Sequence, residues 1–569
     1  MRIYKSSLTP DPIPEISIAS YLYSQHDPIP PSSPAFVDAD TGRTITREQL
    51  RVLSSELGWS MCNGLVKLGG AKLARGDTVA IFSPNCLAYP IAVHGCFMAG
   101  LRVTVANPSY KPAELAHQFK DSSAKVLFVH PTLLQMALSM FKVMKIGFKE
   151  VKRRIIILRY DVGAPGNSGF IQLEKLLGKG QLVLEEIFDG ALSKETALIC
   201  YSSGTTGKPK GVELMHTNLI AMCTILNQVN EIEHGKDRTL GFLPFYHIYG
   251  AVLLLQFFFK KGIPVIVMER FDAVEFLKNI EKYRITFATC VPPIMVILAR
   301  HPAATTFNLT SLKLLMCGAA PLSASLQHAV KARLDSIGVK APIVQAYGMT
   351  EAAPSIHFYG TQDAERKVGA VGKLLAGMEA RLVLEDGITD AGEGQQGELW
   401  VRGPIVMKGY LNNPSATKEC LLEDGWLKTG DIATVDDEGY FRIVDRRKEL
   451  IKYKAFQAEL EGVLLEHPEI ADAGVVGVYS DTEATELPRA YVVHLKGLRT
   501  NKEKAEFGKQ VQEWMRSRVA RHKYLRGGVV VIDVIPKSPS GKILRRELRE
   551  RAKSEAIALG VDTQSRTKL

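Results

Sequence analysis

The sequence predicts an α/β protein. It has a large N-terminal body of stacked, mostly parallel sheets with helices, then a small β unit, then a small α+β domain at the C-terminus. Three observations predict this. Up to about residue 400, short β-branched runs alternate with helical patterns, as in "DTVAIFS" before "LAYPIAVHGCFMAG" and "AKVLFVH" before "TLLQMALSMF". Alternation at this pitch favours parallel sheets. After Gly397 the texture shifts to short strands cut by Gly and Asp turns: "GELWVRG", "GWLKTGDIATV" and "GYFRIVDR". From about residue 446 a helix ("QAELEGVLLEHPEI"), two strands ("ADAGVVGVY", "PRAYVVHLK") and an amphipathic helix ("KAEFGKQVQEWMRSRVA") read as a separate unit. The expected domains are 1–445, with the β unit from about 397, and 446–569, joined by the charged stretch "DRRKELIKYK".

At 569 residues, 46% hydrophobic and 23% charged, the chain has the make-up of a globular protein of more than one unit. No repeat of 20–50 residues stands out, which disfavours solenoids and propellers. The net charge of +11 invites nucleic acid. However, the basic residues are spread along the chain, with no arginine-rich arm and no zinc-finger spacing. The densest cluster, "KILRRELRERAK", alternates sign as on a solvated helix face. Eight cysteines, with no CxxC pair and no histidine at ligand spacing, fit free thiols in an intracellular protein better than disulfides or zinc. The start "MRIYKSSLTPDPIPE" lacks the apolar core of a secretory signal. The longest apolar run, "YGAVLLLQFFF", falls short of the roughly 20 residues that span a bilayer. A soluble protein is expected. The final Thr567, Lys568 and Leu569 vary the peroxisomal address Ser-Lys-Leu by one hydroxyl residue. They point to an import receptor as partner and to the peroxisome, otherwise the cytoplasm, as location.

The chemistry starts at "YSSGTTGKPKG", Tyr201 to Gly211, which follows the apolar run "TALIC". It fits neither the P-loop nor the GxGxxG template. Its glycines nevertheless let backbone N–H groups converge, its hydroxyls add donors, and Lys208 or Lys210 adds charge, as in an anion cradle. The plainer reading is a surface linker. Against it stand the preceding strand and the following "VELMHTNLIAMCTIL", where Leu219, Met222, Cys223 and Leu226 mark one face of an amphipathic helix. Two more polar loops follow apolar strands, Gly318 to Pro321 in "SLKLLMCGAAPLS" and Gln345 to Glu351 in "APIVQAYGMTEAAP". Ligands collect where strand ends of an open α/β sheet meet. Tyr347 offers a flat face for a purine, Thr350 a hydroxyl for phosphate, and Glu351 a hard oxygen for magnesium. Each residue alone has a structural reading at least as good.

Taken together and in order, "YSSGTTGKPKG", "LPFYHIYG", "CGAAPL", "QAYGMTE", "LKTGD", "VDRRKELIKYK" and "PKSPSGKILRR" resemble the ANL adenylate-forming superfamily over essentially the whole chain. Within it the resemblance is to 4-coumarate–CoA ligases and their fungal and peroxisomal relatives. It implies ATP, Mg2+ and CoA as cofactors, and a two-step ligase of fatty-acid or phenylpropanoid metabolism. A small-molecule carboxylic acid attacks the α-phosphorus of ATP and expels pyrophosphate. The thiol of free CoA then takes the acyl group and releases AMP.

Carried over by motif, the resemblance implies that Ser202, Ser203, Gly204, Thr205, Thr206 and Lys210 hold the triphosphate. Thr350 and Glu351 serve phosphate and magnesium. Gln345, Ala346, Tyr347 and Ala320 line the adenine and acyl side, and Asp431 and Arg446 take the ribose. Lys542 drives adenylation from a mobile C-terminal lid, where a compact ammonium can reach the α-phosphate. His247 is a gate beside the thiol channel, or else a core histidine between aromatics. Tyr249, Leu253, Leu314 and Pro354 border the acyl group. The lid turns about Lys448 between half-reactions, after which Lys452 and Gln457 meet AMP, and Arg270, Lys454 and Ala455 meet CoA.

Two departures matter. Where the ligase pattern reads Gly-Phe-Gln-Val-Ala-Pro-Ala-Glu, this chain reads "AFQAELEG", with Ala455 for glycine and three residues missing. The second half-reaction is therefore the one in question. Leu314 stands where hydroxycinnamate ligases place a lysine, which favours an aryl or medium-to-long aliphatic acid without a distal hydroxyl. The rival readings are an adenylation enzyme that loads a carrier protein, a luciferase-like oxygenase and a catalytically silent adenylate binder.

Overall fold

Strand Thr78–Phe82 is buried at all five residues. It pairs in parallel with Arg102–Ala106 on one side and Val126–Val129 on the other. A run with no polar face needs both faces covered, which parallel sheets flanked by helices provide. The computed structural model describes every residue except 161–168, 203–208, 230, 447–456, 481–484, 520, 539–540 and 559–569.

The first sheet has eight strands, in the order Gly409–Tyr410, Lys210–Met215, Thr196–Ser202, Arg102–Ala106, Thr78–Phe82, Val126–Val129, Ile155–Ile157 and Ile171–Gln172. It is parallel from Thr196–Ser202 onward and turns antiparallel where Lys210–Met215 folds back. The second sheet has nine strands. Six of them run in parallel: Ile343–Tyr347, Leu314–Cys317, Phe287–Cys290, Thr239–Gly241, Val265–Val267 and Pro34–Asp38. One apolar core runs through both sheets. Helix Ala88–Met98 is buried at every residue, and His216–Val229 is buried at ten. The latter is thus an interior helix rather than the amphipathic one expected, because the first sheet and the helical segments Ile18–Leu22 and Gly250–Phe257 pack on it.

A third, antiparallel sheet comprises Tyr4–Lys5, Glu379–Val383, Gly397–Arg402, Leu427–Val435 and Phe441–Arg446. It begins one strand before the change of texture at Gly397, and its edge comes from the far N-terminus. A two-residue strand is too short to leave a periodic signal.

The C-terminal residues form a sheet of Ile470–Ser480, Thr485–His494 and Val529–Val531. Helices Gln457–Leu464, Asn501–Arg516 and Arg545–Ala558 pack around it. Leu460, Leu464, Val475, Val492, Val511 and Met515 make a core separate from the main one. Thr500 starts its helix with a capping box to Glu503. The basic closing helix is only partly a solvated face: Leu548 and Ala552 are buried, and Arg545 pairs with Glu461 at 2.8 Å. All eight cysteines are free thiols. Among the described residues no helix is long and apolar enough to cross a membrane.

Candidate active site

The loop expected to hold phosphate follows the end of a strand in the first sheet. Strand Thr196–Ser202 ends at Ser202, which faces Lys210 across the returning strand. Ser203, Gly204, Thr205, Thr206 and Lys208 lie outside the described residues. The frame around them is well defined. Tyr201 donates its hydroxyl to Asp121 at 2.6 Å, and His117 Nε2 lies 3.2 Å from the Pro209 carbonyl. Lys210 Nζ sits 4.7 Å above the Tyr410 ring, a favourable place for a cation.

Tyr410 links this strand to the loop after Ile343–Tyr347, because its hydroxyl donates to Glu351 Oε1 at 2.9 Å. Burial first, and then the Glu351 carboxylate, hold the Tyr410 phenol protonated far above its ordinary range. Thr350 and Glu351 are both buried and open a tight turn, Thr350–Ala352. This donor set suits magnesium: Glu351 Oε2 carries no hydrogen bond among the described residues. A single carboxylate with substrate phosphates and waters is how Mg2+ is commonly held.

Asp431, on strand Leu427–Val435, accepts the Tyr347 hydroxyl at 2.5 Å and stands opposite Arg446 in the sheet register. The site therefore draws on all three sheets of the large body. Gly348 follows Tyr347 because nothing larger fits: a Cβ there would lie 1.7 Å from the Pro354 carbonyl oxygen. Pro354 itself is buried in that turn. Ala346 and Ala320 are half-buried at the ends of neighbouring strands. Gln345 differs from expectation. Its side chain is buried and donates to Gln327 Oε1 at 3.1 Å, on helix Ala324–Ser336, so only its backbone is left for a ligand.

An apolar cavity opens beside these loops, lined by Leu243, Pro244, His247, Tyr249, Gly250, Val291 and Ala319. It is closed down to an interstice of about 180 Å³, in which no water-sized sphere fits. His247 and Tyr249 both line it. Leu253 is buried deeper in the core and does not line the cavity. Leu314 is corrected outright. It pairs with Phe287 at the entry end of its strand, and its N–H bonds the Thr286 carbonyl. That is four residues, or roughly 13 Å, from the loop at Gly318. Met316, whose carbonyl oxygen lies 3.5 Å from the Tyr249 hydroxyl, is the residue of that strand beside the cavity.

Lys542 sits on a turn in which Gly541 N–H bonds the Ser538 carbonyl at 2.8 Å and Ser538 N–H bonds the Lys542 carbonyl at 2.8 Å. Gly541 has φ +81°, and a Cβ there would come within 3.2 Å of Pro293. Only glycine combines that backbone with that proximity. The turn brings Lys542 near His247. Burial pulls the imidazole pKa down to about 3, and the Lys542 charge pushes in the same direction. His247 is therefore neutral.

In the C-terminal unit, helix Gln457–Leu464 opens on Gln457 itself. The chain spends no residues on a loop there, which absorbs the three missing positions. Gln457 is buried, its N–H bonds Asp445 Oδ2 at 2.8 Å, and its side-chain oxygen accepts from Arg545 at 2.5 Å. Arg270 is exposed beside Glu269. Lys448, Lys452, Lys454 and Ala455, like Thr567 to Leu569, lie outside the described residues, as does the side chain of Arg446. Tyr410, Asp121 and Gln327 are additions that sequence reasoning missed. Tyr410 lies in a two-residue strand, and the other two act through partners far along the chain.

Residues 26–411 match the family model for AMP-binding enzymes, and residues 459–542 match that for the AMP-binding enzyme C-terminal domain. The chain is 35% identical to 4-coumarate–CoA ligase 1 of Petroselinum crispum over 564 residues, 97% of each chain. It is 34% identical to the peroxisomal OPC-8:0-CoA ligase 1 of Arabidopsis thaliana over 567 residues, again 97% of each. Its fold matches o-succinylbenzoate–CoA synthetase of Bacillus subtilis, solved with ATP and a magnesium ion. The TM-score is 0.73 at 26% identity, covering 94% of this chain and 99% of that one. With both family models matched along its length and these loops brought to one place, the chain belongs to the AMP-binding enzyme family, within the ANL adenylate-forming superfamily.

Proposed function

We propose that this chain is an ATP-dependent acyl-CoA ligase that activates an apolar carboxylic acid, aryl or medium-to-long aliphatic, and passes the acyl group to free CoA. One observation carries the reading: the Lys542 turn, from a separately cored C-terminal unit, is seated against the cavity holding His247 and Tyr249. An ammonium delivered there stabilises the charge that grows on the α-phosphoryl oxygens as a carboxylate attacks. The loop from Ser202 to Thr206, with Lys210, Thr350 and Arg446, steadies the nucleotide. Asp431, already oriented by Tyr347, accepts from the ribose hydroxyls. Glu351, with substrate phosphates, would hold Mg2+, which when bound would neutralise phosphate charge. The cavity lining is apolar apart from His247 and the Tyr249 hydroxyl, which faces the Met316 carbonyl, and this supports an acid without a distal hydroxyl on different residues from Leu314. Burying an unpartnered hydroxyl there would cost about 1–3 kcal/mol.

For the second step the unit over 446–569 turns about Lys448, withdrawing Lys542 and presenting Lys452, Lys454 and Gln457. The Gln457 N–H is bound to Asp445 of the large body in the present arrangement, so that contact has to open. This, with Ala455 and the shortened segment, favours a second reading: an enzyme that completes adenylation and hands the acyl group on slowly or to another thiol. The named location of the Arabidopsis relative and the Thr567-Lys568-Leu569 tail support peroxisomal import. Acid-dependent ATP–pyrophosphate exchange across a panel of acids, with CoA consumption followed in parallel, tests the proposal. Exchange with CoA consumption supports a ligase, and exchange without it supports the second reading. No exchange with any acid refutes both.

A further inference from the structure

We propose that Arg300 is a positioning residue for adenylation, holding the C-terminal unit in the orientation that presents Lys542. This rests on the functional reading above. Helix Pro292–Arg300 belongs to the large body and touches the C-terminal unit at both ends. At its start, Val291 and Pro293 pack against Gly541, next to Lys542. At its end, about 12 Å away for nine residues, the Arg300 guanidinium donates to two lid carbonyls, Leu465 and Ile470, each at 2.5 Å. Leu465 follows the last turn of helix Gln457–Leu464. Its carbonyl is among those a helix leaves without an internal partner, and a cation is the preferred cap there.

The contact is costly to hold and specific in geometry. Arg300 is half-buried, and burial lowers its pKa below the usual arginine value. Among the described residues no carboxylate pairs with it. Its charge is spent on two main-chain oxygens of the lid, in a fork that lysine cannot reproduce. Between these two points Ser323, which caps helix Ala324–Ser336, lies against Gly462 of the lid. Apart from the Gln457–Asp445 bond beside the junction, these three contacts hold the lid against the large body, and Arg300 is the polar one among them. Turning the lid about Lys448 separates Arg300 from both carbonyls, so the bond favours the first half-reaction only. Two charge-assisted bonds lost in one orientation and not the other shift the balance by about ten- to a hundredfold.

The test compares the wild type, Arg300→Met and Arg300→Lys in both half-reactions. Expected for Arg300→Met is a loss of at least about tenfold in pyrophosphate exchange. CoA-dependent consumption of supplied acyl-adenylate should stay within twofold or rise, with Arg300→Lys in between. Equal losses in both half-reactions, or no loss in exchange, overturn the proposal. Lid orientation is read separately from spin labels at exposed Lys340 and Glu513, with Cys62, Cys86 and Cys420 replaced by serine. The Arg300→Met distance distribution should broaden or shift, and an unchanged one also overturns it. If the wild type exchanges with no acid, the functional reading fails, and the label distances alone decide the role of Arg300.

Discussion

The Tyr347 hydroxyl donates to Asp431 Oδ2 at 2.5 Å, joining the loop that ends the second large sheet to the third sheet. The carboxylate is therefore oriented before any nucleotide arrives. Tyr347→Phe keeps the aromatic face and removes this bond. Expected is a rise of about three- to tenfold in KM for ATP with kcat within twofold, read from exchange rates against ATP concentration. An equal fall in kcat would show that the bond serves the chemical step instead.

Lys542→Ala removes the cation beside His247. Exchange is expected to fall by about 10²–10³-fold, while calorimetry shows ATP still bound. Unchanged exchange would strip Lys542 of its role.

Gly541→Ala places a Cβ 3.2 Å from Pro293 on a backbone at φ +81°. The strain, about 1–2 kcal/mol, falls on the turn between the two units rather than on either core. Exchange should drop by about tenfold and the melting temperature by little. A large loss of thermal stability would mean that the turn belongs to a core.

Four histidines whose pKa burial lowers strongly make the fold sensitive to acid. Burial pulls His94 down to about 4 and His216, His247 and His357 to about 3. Unfolded, each takes a proton near 6.5. Between those values the unfolded chain binds more protons, so stability is full above about pH 6.5 and is lost as pH falls toward 3. The slope is about 1.4 kcal/mol per pH unit for each histidine. His357 is the informative one, since both its ring nitrogens lack a hydrogen bond and it lies between Tyr347 and Phe441. His357→Leu should leave stability at pH 7 equal or higher and flatten the loss between pH 6.5 and 4 by one proton's worth. Urea midpoints at pH 7 and 5 measure it, and an unaltered slope would contradict this account.

What could be read from the sequence follows from how locally each feature is encoded. Thr78–Phe82 and Val126–Val129 declare themselves because, Thr78 apart, every side chain in these runs is apolar. Lys542 does so because a turn motif surrounds it. The Leu314 expectation failed by two residues of register: the apolar run "LKLL" shows a strand but not which of its positions reaches the ligand end. The burial of His216–Val229 on most sides depends on helical neighbours, such as Gly250–Phe257, that the helix's own periodicity does not report. Gln345 looked like a ligand residue because its partner, Gln327, lies on another element. Arg300 sits in no motif and ends an ordinary apolar helix. Its meaning comes from what the lid places above it.

The two-residue strand at Tyr4–Lys5, hydrogen-bonded to Glu379–Val383, gives the chain an order of events during synthesis. Those first residues emerge from the ribosome long before their partner exists. At about 5–20 residues per second the wait is on the order of 20–75 s. Throughout that interval the third sheet cannot form, while strands of both larger sheets are already available to pair. The Tyr4–Lys5 segment is thus among the last parts to settle, and a bulky insertion beside it would compete with closure of that edge after the rest had formed.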